Sequence, residues 1–152
     1  MQTGFFVSFQ SRTVKLGFRH RKESANIVRN ILIVAFGGSI GAVLRYLISG
    51  WVQNFFNAGS FPAGTAVVNI LGCLLIGLLG GWTENFHTFG MHMRLFLFLG
   101  VLGGFTTFST FGYETMALLR DGQMLSALAN IGINLFFGLT AVWLGYGLSS
   151  VS

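Results

Sequence analysis

The chain is short of charged residues, of cysteine and of proline. Of its 152 residues only 9% are charged, one is cysteine and one is proline. A soluble domain carries about 25% charged residues, so this composition excludes an ordinary soluble fold. The single cysteine, Cys73, excludes an intrachain disulfide, and its apolar surroundings predict a small packing residue. The chain also lacks a Ser-His-acid set and a phosphate-binding loop after a strand, so we expect no enzyme.

Apolar residues and glycine are abundant instead. The chain is 53% hydrophobic with 22 glycines, and its mean hydropathy is +0.70. About 20 apolar residues cross a bilayer, and small residues allow helices to pack closely in lipid. Gly37 and Gly41, four residues apart, predict such a contact for the first span. The sequence thus predicts an all-α membrane protein with four transmembrane helices, at about residues 31–51, 62–82, 93–119 and 124–148.

Residues 1–29 form a basic N-terminal extension that we expect to be disordered, ahead of a membrane domain at residues 30–152. The extension holds one acid, Glu23. Its clustered positive charge bears on membrane orientation and anionic lipid rather than on nucleic acid. A transit peptide and a true start near Val28 are the alternatives. Six of the nine basic residues lie in the extension: Arg12, Lys15, Arg19, Arg21, Lys22 and Arg29.

Residues 103–111 read GGFTTFSTF and place four hydroxyls and three phenyl rings inside the third apolar stretch. That stretch is longer than one straight helix needs, and Gly103 and Gly104 predict a break near its middle. Irregular backbone is tolerated in a bilayer where protein or a water-filled cavity satisfies it. The segment therefore indicates an ion pathway. The alternative is a kinked helix whose Ser and Thr hydroxyls bond their own carbonyls.

Other polar side chains also lie at membrane depth. Asn69 is in the second span, and Asn130 and Asn134 lie one turn apart on the fourth, on the same predicted face as Phe137. A buried amide is costly unless it is hydrogen-bonded, so these side chains either join helices or line a wet groove. Arg45, near the end of the first span, either reaches the lipid headgroups or lies at a pore mouth.

Several motifs, in order along the chain, match the Fluc, or CrcB-type, fluoride channels. Residues 41–46 read GAVLRY, residues 61–65 read FPAGT, residues 68–72 read VNILG, and residues 103–111 are followed by Glu114. From about Asn30 to its end, roughly four-fifths of its length, the chain resembles this family. The family's fourth helix often carries a tyrosine and a serine where this chain has Asn130 and Asn134.

The resemblance implies a fluoride-selective channel that passively exports fluoride from the cytoplasm and lowers its toxicity. It implies a multi-pass protein of the inner (plasma) membrane that forms an antiparallel dual-topology dimer with two fluoride pathways. A structural sodium ion at the dimer centre would be held by the backbone carbonyls of Gly103 and Thr106. The residues implied along the fluoride pathway are Asn69, Phe108, Ser109, Thr110, Phe111 and Asn134, with Arg45 and Glu114 at the pore vestibule.

The basic extension bears on the partner subunit. Dual topology needs a small difference in Lys and Arg between the two sides, and six additional positive charges favour one orientation with the N-terminus inside. The dimer is therefore either a homodimer or a heterodimer with an oppositely oriented homologue. In both cases the expected partners are fluoride, sodium and membrane lipid, with no nucleic acid.

Two other functions compete with this interpretation. A proton-coupled exporter, like the small dual-topology multidrug transporters, needs a membrane-embedded carboxylate, and Glu114 is the one candidate. A non-conducting membrane scaffold would explain the glycines as packing residues. It would not explain a hydroxyl cluster flanked by Phe108 and Phe111 on one helical face.

Overall fold

A computed structural model of the chain describes the backbone of residues 3–86 and 89–150 and the side chains of residues 23–84 and 89–149. Every regular element in this part of the chain is helical. The α-helices are α1 (Thr3–Phe55), α2 (Ala63–Phe86), α3 (Met91–Arg94), α4 (Gly103–Phe105), α5 (Phe108–Arg120), α6 (Met124–Gly132) and α7 (Gly138–Ser150), and the π-helical segments are π1 (Leu95–Leu102) and π2 (Ile133–Phe137).

Four of the helical stretches are long and apolar enough to cross a membrane. They are Glu23–Phe55, Ala63–Glu84, Met91–Arg120 and Met124–Ser149, with 33, 22, 30 and 26 residues. We call them the first to fourth spans. The predicted all-α membrane protein with four spans is confirmed. The bounds of the last three agree with the sequence analysis to within about two residues, whereas helix α1 continues beyond both predicted ends of the first span.

The N-terminal extension is continuous with the first span. Helix α1 begins at Thr3, whereas the composition predicts disorder for residues 1–29. Residues 3–29 contain no proline, so nothing in the covalent backbone ends the helix there. The division of the chain into an extension and a membrane domain stays a prediction, and residues 1–2 lie outside the described residues.

Glycines bring α1 into backbone contact with the third span. A Cβ added at Gly37 would lie 3.0 Å from the Cα of Gly100, and a Cβ added at Gly104 would lie 2.5 Å from the carbonyl oxygen of Gly38. A Cβ at Gly41 would collide with the carbonyl oxygen of Val101. Separations this short leave no room for a side chain, as expected where small residues let helices approach in lipid. The contact predicted from Gly37 and Gly41 is confirmed.

The second and fourth spans pack together in the same way. A Cβ added at Gly77 would collide with the carbonyl oxygen of Val142, and a Cβ at Gly145 would collide with that of Leu74. The interior beside them is partly polar, because Asn130 is as fully buried as any apolar side chain described. A buried amide must be paired to be tolerated, and its partners belong to the site described below.

Two connections lie at the same end of the bundle. Gln53 donates to the carbonyl oxygens of Gly59 and Phe61, at 3.2 and 2.9 Å, and accepts from the backbone N–H of Gly64 at 3.2 Å. Ser60 Oγ, in the same turn, donates to Gln123 Oε1 at 2.7 Å. Four successive spans therefore place the beginning of the first span and the end of the fourth at the opposite end.

Candidate functional site

The third span leaves helical geometry at two threonines. Thr106 has φ −82° and ψ 158°, and Thr107 has φ −151° and ψ 111°, so both are extended. Helix α5 then begins at Phe108. Thr107 caps it, because the Thr107 hydroxyl oxygen accepts from the backbone N–H of Thr110 at 3.2 Å, as a threonine does at a helix N-terminus. The extended residues follow the glycines at which the sequence placed the break.

One side chain replaces the helical hydrogen bonds that Thr107 loses. The Thr107 N–H donates to Asn69 Oδ1 at 2.8 Å, and Asn69 Nδ2 donates to the Thr107 carbonyl at 3.2 Å. The amide of Asn69 thus pairs with both backbone groups of one residue, as a neighbouring β-strand would. This arrangement satisfies irregular backbone at membrane depth.

Two amides of the fourth span continue from Asn69. Asn69 Nδ2 also donates to Asn134 Oδ1 at 2.9 Å. Asn134 Nδ2 lies 3.0 Å from both the carbonyl oxygen and the Oδ1 of Asn130. Asn130 Nδ2 donates to Thr115 Oγ1 at 2.8 Å. Both fourth-span amides thus join helices within the bundle, which is one of the two alternatives given for them. A wet groove beside them stays a prediction.

A cavity of about 330 Å³ lies beside these amides. The rings of Phe108 and Phe111 form part of its wall, with their centroids 5.6 Å apart. Six of the residues predicted for the pathway or the sodium site line it: Asn69, Gly103, Thr106, Phe108, Phe111 and Asn134. Apolar side chains make up much of the remaining wall, so the few polar atoms are concentrated around the break.

Four predicted site residues lie outside this cavity. Ser109 and Thr110 are exposed on α5 and do not line it. Arg45 is half-buried in α1 and does not line the cavity. Glu114 is bound from the second span, because Thr65 Oγ1 donates to Glu114 Oε1 at 2.8 Å. The other carboxylate oxygen, Oε2, is buried without a hydrogen-bond partner in the described part of the chain.

Two residues of this region had no role predicted from the sequence. Thr107 is the cap and the partner of Asn69, and Thr115 ends the series of amides. Cys73, predicted as a small packing residue, lines the cavity. A threonine three residues before Thr110, at the start of a helix, has N-cap spacing and was the signal available for Thr107. Nothing in the sequence separates Thr115 from other helical threonines, since its partner lies in the next span.

The family model described as CrcB-like protein, Camphor Resistance (CrcB), matches residues 32–146. This chain belongs to the CrcB-like family. All residues of the cavity lie inside the matched part, so the geometry above belongs to the family's domain. No group of three or more His, Cys, Asp or Glu side chains that would hold a metal ion occurs among the residues described.

Curated relatives of this CrcB-like protein are named as fluoride channels. The Fluoride-specific ion channel FluC of Thermus thermophilus is 48% identical over 121 residues, which cover 80% of this chain and 94% of that protein. The protein of the same name from Chloroflexus aurantiacus is 46% identical over 121 residues, covering 80% and 95%. Fluoride-specific ion channel FluC 1 of Methanosarcina acetivorans is 46% identical over 115 residues, covering 76% and 86%.

Proposed function

We propose that this chain forms a fluoride-selective channel that lets fluoride leave the cytoplasm passively. The observation that carries the proposal is the cavity in which the Phe108 and Phe111 rings meet Asn69 and Asn134 at membrane depth. The names of the relatives supply the ion, because each is called a fluoride-specific ion channel. Membership of the family favours this function over a proton-coupled exporter or a scaffold.

The lining suits an anion that is small and strongly hydrated. A pore for such an ion must replace its water with donors, and a phenyl ring has a positive edge that faces an anion favourably. Hydroxyl and amide groups can also donate, although the N–H groups of Asn69 and Asn134 are engaged with protein acceptors in the single chain. No basic side chain is among the residues that line the cavity. The ion is therefore not held by a full opposite charge, and conduction requires binding that is weak enough to release it.

The pathway is completed by a second subunit in an antiparallel dimer. Phe108 is 81% exposed in the single chain although it belongs to the lining. A groove between two subunits would cover this ring and close the cavity on its open side. Ser109 and Thr110, which are exposed beside it on α5, would face the pathway from there, while Arg45 and Glu114 would lie toward its mouths.

A sodium ion at the dimer centre would use the carbonyls of Gly103 and Thr106. In a continuous helix these carbonyls would accept from the N–H groups of Thr107 and Thr110. The Thr107 N–H instead donates to Asn69, and the Thr110 N–H donates to the Thr107 hydroxyl. Because the helical donors of both carbonyls are engaged elsewhere, the two oxygens fit a cation ligand set. A bound cation would satisfy them and offset two nearby anions.

The basic extension favours insertion with the N-terminus on the cytoplasmic side of the inner (plasma) membrane. Seven of the nine basic residues lie at the end of the bundle where the first span begins and the fourth ends. They are the six of the extension and Arg94. Arg45 and Arg120 lie toward the other end. Without the extension the charges are nearly balanced. A homodimer would require both orientations, so in the cell membrane the asymmetry favours a partner homologue of opposite orientation. Positive charge sets orientation during insertion, so two copies purified in detergent are free to pair in the antiparallel arrangement.

Growth in fluoride tests the function in cells. Expression in a bacterial strain without its own fluoride exporter should restore growth in fluoride-containing medium, and co-expression of an oppositely oriented relative is included as a second arm. A matched control is Phe108→Ile, which removes a lining ring without removing charge. Failure of the unaltered chain to improve growth in either arm, despite its presence in the membrane, would contradict the proposal.

A further inference from the structure

The hydrogen bonds around the cavity form one continuous series that begins and ends on the third span. The oxygen of each amide accepts one bond of the series and its nitrogen donates the next, at the distances given above. The last bond runs from Thr115 Oγ1 to the Phe111 carbonyl at 2.7 Å. The groups in order, each donating to the next, are Thr107 N–H, Asn69, Asn134, Asn130, Thr115 and the Phe111 carbonyl.

We propose that Asn69, Asn134 and Asn130 are positioning residues for the phenylalanine pair, which they hold by fixing both ends of the first turn of α5. This inference rests on the proposed function. Phe108 and Phe111 lie within that turn, between the two backbone groups that the series reaches. The amides thus act on the pathway through the backbone that carries the rings.

The direction of every bond follows from the backbone groups at the start. The Thr107 N–H must donate and the Thr107 carbonyl must accept, so the Asn69 amide has one favourable orientation. That orientation turns the remaining N–H of Asn69 toward Asn134, and the Asn130 carbonyl fixes Asn134 in the same way. Donors aligned in one direction polarise one another, which strengthens each bond.

The number of N–H groups on each amide shows whether Asn69 and Asn134 can bind an anion directly or only position the backbone. An amide has two N–H groups, and those of Asn69 are both used, one on the Thr107 carbonyl and one on Asn134. The Asn134 nitrogen likewise faces two acceptors of Asn130. Neither amide has a free N–H to offer an anion unless it gives up a bond that holds the turn. Within the cavity, the ring edges of Phe108 and Phe111 then remain to approach fluoride.

Several members of the series are buried, whereas Asn69 and Asn134 are half-buried. Asn130 is fully buried, and Thr107, Phe111 and Thr115 are at most 9% exposed. A buried polar group that loses its partner bears the full cost of its desolvation, so removal of one member destabilises the arrangement of its neighbours. Because the bonds depend on one another, we expect that one substitution in the series already causes most of the loss that a second substitution would cause.

A double-mutant cycle on Asn69 and Asn134 tests the proposal with purified full-length protein in liposomes. Asn69→Ala and Asn134→Ala should each lower the fluoride efflux rate by about tenfold, the factor that corresponds to one lost buried hydrogen-bond partner. The double variant should be no slower than the slower single variant, to within about twofold, because both substitutions break one series. Asn69→Ser and Asn134→Ser, which each keep a hydroxyl, replace the alanine variants if these are not recovered folded.

Amide hydrogen exchange supplies a readout that simple packing would not change. Asn134→Ala should speed exchange of the Thr107 N–H by about tenfold, although Asn134 does not hydrogen-bond Thr107. The matched control is Thr140→Val on the fourth span, whose hydroxyl donates to the Phe136 carbonyl of its own span at 2.8 Å. This variant should leave both the exchange and the efflux unchanged.

Two results are decisive against the inference. Losses of efflux that multiply in the double variant, or Thr107 exchange that stays unchanged in Asn134→Ala, would show that the amides act independently. Either result in a protein that conducts fluoride would overturn the positioning role alone. Absence of fluoride efflux from the unaltered protein would overturn the proposed function and this inference with it.

Discussion

The rings of Phe108 and Phe111 lie 5.6 Å apart at an interplanar angle of 53°, yet their exposure differs widely. Phe108 is 81% exposed and Phe111 is 9% exposed. The pair therefore spans the boundary between the interior of the chain and its outer surface. Phe111 is buried within the chain, whereas the surroundings of Phe108 depend on what covers that surface, which we propose is the second subunit.

Replacement of either ring should suppress conduction, but with different effects on stability. Phe108→Ile and Phe111→Ile each remove a positive ring edge, and loss of an interaction of about 1 kcal/mol lowers a rate by roughly fivefold. Phe111→Ile should also lower the unfolding temperature, because it reshapes a buried site. Fluoride efflux from liposomes and thermal unfolding of the same preparations provide the two measurements, and size-exclusion chromatography checks that the dimer persists.

The control for these variants is Phe137→Ile. Phe137 is 50% exposed in the fourth span and does not line the cavity. It should conduct as the unaltered protein does. Efflux that is unchanged in Phe108→Ile and Phe111→Ile as well would mean that the rings serve packing only.

The glycines of the second span offer a matched pair for helix packing. A methyl group added at Gly77 would meet the Val142 carbonyl, whereas one added at Gly80 has no atom within 4 Å in the chain. Gly77→Ala should therefore destabilise the protein by about 1–3 kcal/mol through overpacking. Gly80→Ala should be neutral or gain up to about 1 kcal/mol in helix propensity. Unfolding in detergent measures both, and equal stability of the two variants would refute the close packing of the second and fourth spans.

The N-terminal extension should control membrane orientation. Tags at the two termini should be accessible from the cytoplasmic side alone, because positive charge is retained there. Deletion of residues 2–22 removes five basic residues and should give a mixture of orientations. Labelling of the full-length protein from both sides of the membrane would show that the extension does not set the orientation.

Sodium removal should impair the channel if the carbonyls of Gly103 and Thr106 hold a cation. Protein prepared with N-methylglucamine in place of sodium should show a lower fluoride efflux rate, and addition of sodium should restore it. The restoration distinguishes a bound ion from irreversible loss of fold. Efflux and dimer content that are the same with and without sodium would exclude a structural sodium ion.

The spans were predictable from the sequence because each is a long apolar stretch, which is a local property. The position of the irregular backbone was not. Gly103 and Gly104 suggested a break, but Gly104 serves close packing against Gly38. The extended residues come later, where Asn69, 38 residues away along the chain, binds Thr107. A hydrogen bond over that separation leaves no periodic signal in one sequence.

The fourth span shows a second limit of helical periodicity. Asn130, Asn134 and Phe137 were predicted on one face. The two amides do turn inward, but Phe137 is half-exposed at the end of π2. A π-helical turn holds more residues than an α-helical turn and rotates those that follow it. Ser109 and Thr110 show that a motif likewise does not fix side-chain direction. The motif brings both residues near the cavity but does not determine where their side chains point.

Fluoride and chloride efflux from liposomes that contain the purified protein tests the central claim most directly. Parallel vesicle preparations are loaded with one anion each, and the release of each is followed with its ion-selective electrode, with protein-free vesicles as the baseline. Fluoride should leave rapidly through the protein while chloride release stays at the baseline. Chloride release at a rate similar to that of fluoride, or no fluoride release at all, would contradict the account.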